Sequence, residues 1–444
     1  MESAASLRTR LAGIIGGDSL APDADLERYA VEGLTPKAAV FPSSEEQVAA
    51  ALGLAAKEQL AVVPRGSGSL MALGGVPERL DVVLGLYRLS RSTEHAPGDM
   101  TVTVGAGSTL AALQQTLAEE GQWLPLDPPL ASQRTLGGIL ATNLDGPLSL
   151  SYGTARDMVL GMRVAGADGV ITKSGGKVVK NATGFDVAKV HLGALGTLGV
   201  ILEATFKVAP LPKKDNTMRA VFESLSDAVM ASQELMGQPF VPQALEIAMT
   251  GANGEGDEAQ PRCLMYAHFL GATSGVERCV EEFTARLRQA GASNVEGLEG
   301  EIATQTWRWL GDFGWDPQAG PGLLFRLGCL ASHTQQLATA VIDLAQQQGY
   351  EMSLVASPGR GVLRCFLPGQ AWMDVAATRT AVDGLRGLAA SVGGYAVVER
   401  CPDQTKAHLD VWGNPGEALG LMRRLKEQMD PGRILNPGRF VGGI

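Results

Sequence analysis

Apolar positions in this chain fall in short strand-like runs separated by helical stretches, and the order of these elements changes after Ala209-Pro210-Leu211-Pro212. Residues 1–15 alternate polar and apolar side chains, with Glu2, Arg8 and Arg10 among them. They predict an amphipathic helix rather than the unbroken apolar core of a leader peptide. Ala39-Val40-Phe41-Pro42 reads as a strand, and Ser44 caps a following helix that carries Glu45 and Glu46 in its first turn and runs to about Lys57. Residues 61–64 predict the next strand, a glycine-rich loop extends to Gly75, and residues 81–86 form another strand. Thr101-Val102-Thr103-Val104 alternates like a strand, and Ser108 caps a helix ending near Gly121.

Residues 122–153 carry Pro125, Pro128, Pro129 and Pro147 with Gly137, Gly138, Gly146 and Gly153. So long an irregular stretch belongs in a compact domain only when it folds around a ligand. Strands return at 159–165, 170–173 and 200–208. From Met218 onward, strands and helices follow an order that suits an antiparallel sheet with helices on one face. The fold class expected is therefore α+β, in three parts: residues 1–215, a second α+β unit over 216–415, and a helix and tail over 416–444 that return to the first part.

A chain of 444 residues exceeds what one growing core supports, so more than one compact unit is the default. Net charge of -10 disfavours nucleic acid as the main partner, because phosphate neutralisation needs a basic surface. The 56 glycines point to many tight turns and close backbone approaches. Cys263, Cys279, Cys329, Cys365 and Cys401 form no Cys-x-x-Cys pair, so no zinc or iron-sulfur motif is expected, and a reducing, cytoplasmic setting suits them. No run of about 18 apolar residues predicts a membrane span, which leaves membrane association to a partner.

Three stretches carry candidate chemistry. Pro64-Arg65-Gly66-Ser67-Gly68-Ser69 follows a strand, and its small residues let several backbone N–H groups converge on an anion. Such a turn serves equally well as a plain connector, and it is no Gly-x-Gly-x-x-Gly fingerprint, since no helix opens from it. A second stretch runs from Leu126-Asp127-Pro128-Pro129 through Thr135-Leu136-Gly137-Gly138 to Thr142, then to Tyr152, Arg156 and Asp157. Its paired glycines would let a planar ligand lie on backbone, although a surface loop reads the same way. The third is Gly193-Ala194-Leu195-Gly196-Thr197-Leu198-Gly199-Val200-Ile201, entering a strand.

In this order the three stretches resemble the PCMH-type FAD-binding domain of the vanillyl-alcohol oxidase/p-cresol methylhydroxylase superfamily over residues 38–210. Gly137-Gly138, Arg156-Asp157, Lys180-Asn181-Ala182-Thr183-Gly184-Phe185-Asp186, Gly196-Thr197-Leu198-Gly199-Val200 and the closing Asn436-Pro437-Gly438-Arg439-Phe440 are most similar to the FAD-binding E subunits of bacterial glycolate oxidases. The resemblance implies two α+β subdomains around FAD and an antiparallel α+β cap. It implies that Gly66, Ser67, Gly68 and Ser69 hold the diphosphate, with Pro64 and Arg65 also in the cofactor set and Pro129, Thr135, Gly138 and Thr142 around the ribityl and isoalloxazine. Gly199 and Ile201 would meet the adenosine, and Tyr152, Arg156, Asp157 and Asn436 complete the expected cofactor set.

The sequence also departs from the superfamily pattern. Residues 65–75 hold no histidine of the kind that attaches FAD covalently in some members, so non-covalent FAD is expected. The His-rich metal segment of related D-lactate dehydrogenases and of the glycolate oxidase D subunit is missing, so no metal is expected. The implied activity is FAD-dependent oxidation of a small 2-hydroxy acid of the glycolate or D-lactate type, within a complex that includes a second flavoprotein and an iron-sulfur subunit. Arg400 is the candidate clamp for the substrate carboxylate, with Arg326 and Arg439 as rivals, and His408 is the candidate base. Two other classes stay open. One is an FAD-carrying but catalytically silent relay or structural subunit, and the other is a nicotinamide-dependent dehydrogenase, which the missing helix-opening fingerprint disfavours.

Overall fold

The computed structural model describes residues 4–90, 92–177, 186–249 and 263–444. Two small sheets build the first half. A parallel three-stranded sheet runs Ala38–Val40, Val82–Gly85, Val62–Arg65, and an antiparallel five-stranded sheet runs Ser92–Ala96, Thr101–Gly105, Val200–Lys207, Val159–Ala165, Ile171–Gly175. Leu7, Leu11 and Ile15 of the first helix join Val48, Leu52 and Ala55 of the Glu45–Glu58 helix on the parallel sheet. That helix begins as its sequence requires, with the Ser44 hydroxyl accepting from Gln47 N.

Two local expectations need correction. Thr109, not Ser108, caps the Leu110–Ala118 helix, accepting from Ala112 N, while Ser108 O accepts from Leu136 N. Within the supposedly irregular 122–153 segment, Leu136–Thr142 forms a helix capped by Thr135, and Ala155–Met158 forms a single turn just beyond it. Its glycines hid this helix, because two in succession lower helix propensity by about 1 kcal/mol each. Packing of Leu136, Ile139 and Leu140 against the five-stranded sheet overrides that cost.

The Lys214–Phe222 strand opens an eight-stranded antiparallel sheet ordered Asn294–Leu298, Lys214–Phe222, Cys263–Gly271, Ala244–Met249, Ser353–Ser357, Val362–Pro368, Gly322–Gly328, Tyr395–Arg400. The strand period of two sorts its faces. Leu245, Ile247, Leu363, Cys365, Leu323 and Phe325 pack under helices that include Leu225–Met236, Thr334–Gln348 and Val375–Ser391. Ala248, Tyr266, Val355, Phe366 and Leu324 face the first half instead, meeting Leu70, Leu73, Leu130, Leu144 and Leu195. The Gly300–Asp312 helix, which carries Trp307 and Trp309, lies across this second face.

The tail after residue 416 returns to the parallel sheet. Leu435 bridges Val62, Val62 N donates to Ile434 O at 2.7 Å, and Asn436 N donates to Val62 O at 2.9 Å. Lys426, buried on the Ala418–Met429 helix, donates through Nζ to Thr197 O (2.8 Å), Leu435 O (2.9 Å) and Asp430 Oδ2 (2.7 Å). Asp430, fully buried, in turn accepts from Ile434 N and Leu435 N. Lys426→Met strands the Asp430 carboxylate, so urea unfolding should show a loss of about 3–5 kcal/mol. Lys426→Met combined with Asp430→Leu should recover only part of that loss: no buried charge is left alone, but Ile434 N and Leu435 N lose their acceptor.

Candidate cofactor-binding site

The Val62–Arg65 strand delivers residues 66–75 onto the N-terminal end of the Leu136–Thr142 helix, and two adjoining cavities open there. Both are walled by Pro64, Gly66, Thr135, Gly138, Ala141 and Leu195. One, with about 510 Å³ of empty space, extends over Ser67, Gly68, Ser69, Arg134 and Thr142 to Asn436 and Arg439. The other, about 420 Å³, runs past Arg65 and Gly196 to Gly199, Val200 and Ile201. Sharing these six residues, the two together make an elongated trough.

Glycine is required at two points of the wall. A Cβ on Gly66 would stand 2.1 Å from Thr135 Oγ1, and Thr135 cannot yield because its hydroxyl caps the helix on Gly138 N. Gly68 sits at φ +83, and the Arg65 guanidinium packs against the place a Cβ would take. Arg65 therefore turns away toward Tyr29, over whose ring it lies at 5.4 Å. The wall also keeps polar atoms in reserve. Asn436 donates through Nδ2 to Leu195 O at 2.6 Å, but its buried Oδ1 has no partner, and neither has Arg134 Nη1. Glycine-lined backbone, hydroxyls at Ser67 and Ser69, and unspent polar groups are what a dinucleotide with a diphosphate needs, and the residues present fit FAD.

The segments are held in place from elsewhere in the chain. Leu110 N donates to Arg134 O, Leu136 N to Ser108 O and Gly137 N to Ala106 O, which fastens the 134–137 turn to the five-stranded sheet. Arg439 donates to the carbonyls of Met71, Leu73 and Gly75. Lys406 Nζ adds Ala72 O at 2.6 Å and pairs with Glu32.

Of the residues singled out from sequence, Pro64 to Ser69, Thr135, Gly138, Thr142, Gly199, Ile201 and Asn436 line the trough. Pro129, Tyr152, Arg156 and Asp157 do not appear on its walls. Pro129 is buried beside Leu130, whose N–H is held by Asp312 of the cap, and Tyr152 stacks edge-on against Trp123. Arg156 and Asp157 are exposed, and Asp157 completes a capping box with Thr154. Lys180 to Phe185 lie outside the described residues. Arg134 and Leu195 were not expected on the walls. Arg439 was weighed only as a substrate clamp.

The cap face toward the trough is charged but internally paired. Arg400 donates to Gly314 O and Gly320 O, and Arg364 to Leu310 O and Gly311 O. Arg360 reaches Asp145 (2.6 Å), Ser149, Ser357 and Glu246, while Arg326 pairs with Glu399 at 3.0 Å. His408 is exposed in a turn beyond the Tyr395–Arg400 strand, its carbonyl accepting from Arg379. The structure thus brings neither Arg400 nor His408 to the walls of the trough. Beneath this network Asp127 accepts from Leu148 N at 2.9 Å. Burial pushes its carboxyl up to about 7, against the opposing pull of that hydrogen bond and of Arg360.

Comparison with known proteins agrees with this geometry. A family described as "FAD binding domain" matches residues 36–175, and one described as "FAD linked oxidases, C-terminal domain" matches residues 211–440. Glycolate oxidase subunit GlcD of Bacillus subtilis (strain 168) is 24% identical over 417 residues, 91% of this chain and 89% of that protein. A D-lactate dehydrogenase of Archaeoglobus fulgidus is 27% identical over 426 residues, 90% of each chain. Among solved structures, p-cresol methylhydroxylase with substrate bound superposes with a TM-score of 0.77 at 17% identity, covering 99% of this chain and 97% of that one. The PCMH-type α+β fold is thereby established.

Gly66→Ala should weaken FAD by about 1–3 kcal/mol, roughly 5- to 150-fold in Kd, in a fluorescence titration, since overpacking displaces Thr135. Asp127 binds its proton more tightly folded than unfolded. Its contribution to stability is therefore full below about 4 and lost as pH rises to about 7. Asp127→Asn, which keeps an acceptor for Leu148 N, should flatten the dependence of urea stability on pH across that window and gain about 1–3 kcal/mol at pH 8.

Proposed function

Since the chain belongs to the FAD linked oxidases and FAD is its cofactor, we propose that it holds FAD without a covalent bond and oxidises a small 2-hydroxy acid of the glycolate or D-lactate type. We place it as a flavoprotein subunit of a glycolate-oxidase-like complex. The observation that carries the reading is the trough itself, in which glycine backbone from three distant segments converges between Ile201 and Asn436. The backbone of residues 66–69 takes the diphosphate, Gly199 and Ile201 the adenosine end, and Thr135, Gly138 and Thr142 the ribityl and flavin end. No histidine, cysteine or tyrosine appears among the described residues that line the trough, which supports non-covalent binding.

FAD, when bound, supplies the two-electron acceptor for the substrate's C–H bond. The chain's own part is placement and charge. Leu73, Leu130, Leu144 and Leu195 with Leu324, Trp315 and Phe366 of the cap form a dry wall that keeps water from the flavin end. The substrate carboxylate requires a cation and the hydroxyl proton an acceptor. Arg400 and His408 are the assignments made from sequence, and Arg400 would have to exchange its bonds to Gly314 O and Gly320 O for the carboxylate.

That requirement favours a second reading, in which the chain carries FAD but relays electrons for a catalytic flavoprotein and an iron-sulfur partner. Arg326, Arg360, Arg364 and Arg400 all spend hydrogen bonds or ion pairs within the protein. Among the described residues no helix is long and apolar enough to cross a membrane, so a membrane role would fall to a partner. Purified protein should be yellow and should release its flavin on acid precipitation. Anaerobic glycolate or D-lactate should bleach the flavin band. A band that bleaches with a chemical reductant but with neither acid selects the relay reading, and a colourless protein that takes up no added FAD overturns both.

A further inference from the structure

Among the described residues, the two cavities are lined by three arginines and no carboxylate, inside a chain whose net charge is -10. An uncompensated buried cation costs several kcal/mol after relaxation, so such a grouping persists only where an anion arrives. Two of the three are already committed. Arg439 spends its guanidinium on the carbonyls of Met71, Leu73 and Gly75, and Arg65 lies over the Tyr29 ring and reaches Arg28 O. Arg134 differs from both. It is 2% exposed, its Nη2 donates to Gly138 O (2.8 Å) and to Thr142 Oγ1, and its buried Nη1 has no partner. No acidic side chain pairs with it among the described residues, and burial alone lowers its pKa to about 9, so it stays charged at neutral pH.

Position narrows the anion. Gly138, whose carbonyl fixes the guanidinium, belongs to the wall common to both cavities, and so does Gly66 across from it. The middle of a trough with nucleoside at one end and flavin at the other is where a dinucleotide carries its charge. We propose that Arg134 is the cation that binds the diphosphate of FAD in this chain, offering a charged donor beside the backbone of residues 66–69. This rests on the assignment of FAD to the trough. The fork of a guanidinium suits it, since Nη2 is anchored to Gly138 O and Thr142 Oγ1 while the buried Nη1 is left without a partner in the protein.

The test compares FAD, ADP and riboflavin binding to wild type, Arg134→Met and Arg134→Gln, together with the melting temperature of each apoprotein. Both variants should lose about 10- to 100-fold in affinity for FAD and for ADP, and clearly less for riboflavin, which meets Gly138 and Thr142 but carries no phosphate. Arg134→Met apoprotein should melt at or above wild type, because an unpaired buried charge is gone, whereas a residue that merely braced Gly138 and Thr142 would lower the melting point. Equal FAD affinity in either folded variant overturns the proposal. So does a loss that is as large for riboflavin as for FAD. Wild-type protein that takes up no FAD would instead overturn the function proposed above, and the two failures are distinguishable.

Discussion

A cavity wall made of glycine-rich turns cannot satisfy its own backbone, and this chain meets that constraint with donors from its last residues. Carbonyls in a strand or helix have ladder partners, but those of Met71, Leu73, Gly75, Leu195 and Thr197 lie in turns around the trough. Left unbonded in the interior, each would cost about 1–3 kcal/mol. Arg439, Asn436 and Lys426 supply the missing donors from a tail more than two hundred residues away in sequence. The tail is therefore part of the trough's wall. Its own geometry is fixed in turn by Asp430, which accepts from Lys426 and from two backbone N–H groups.

The cap is joined to the first half by the same kind of bond, set into an apolar seam. Leu70, Leu130 and Leu195 meet Leu324, Trp315 and Phe366, and this burial supplies cohesion without direction. Direction comes from Asp312 on Leu130 N, Arg360 on Asp145 and Ser149, and Lys406 on Ala72 O. Breaking any of these leaves a buried donor or acceptor alone, so the halves have one favoured seating rather than a range. Any chemistry in the trough has to work within that seating, and an arginine that already braces a turn changes partner only at the expense of the turn.

The fold was largely legible because its signals are local. Ser44 with Glu45 and Glu46, the alternation at Thr101 to Val104, and the double proline after Ala209 each specify an element within a few residues. The pocket-forming glycines were legible only in combination, since a Gly-Ser-Gly-Ser turn after a strand also serves as a plain connector, and the order of three such stretches singled it out. Arg134 was not. In Ser132-Gln133-Arg134-Thr135 it looks like one more exposed loop charge, and only the backbone bonds from Leu110 and to Ser108 and Ala106 draw that turn inward. Asp157 failed in the opposite way. Thr154-x-x-Asp157 is a local capping signal, and the resemblance to a family motif diverted it to the cofactor when its partner is the helix it begins. The Ser108 cap failed because Thr109 offers the same chemistry one residue later, and the bond from Leu136 claims the Ser108 carbonyl.

The choice of arginine over lysine inside the trough follows from the same energetics. Desolvation disfavours the charged form of any buried base, and here it takes Arg134 down to about 9 and Arg439 to about 10. Both remain cations at neutral pH because guanidinium begins so high. A lysine begins about two units lower, and the same burial would carry it toward the neutral amine, which binds an anion poorly. Lys426 and Lys406, by contrast, each stand against a carboxylate of the protein, Asp430 and Glu32. The division is physical: buried positions that face a carboxylate of the protein tolerate lysine, and buried positions that face a space without one require arginine.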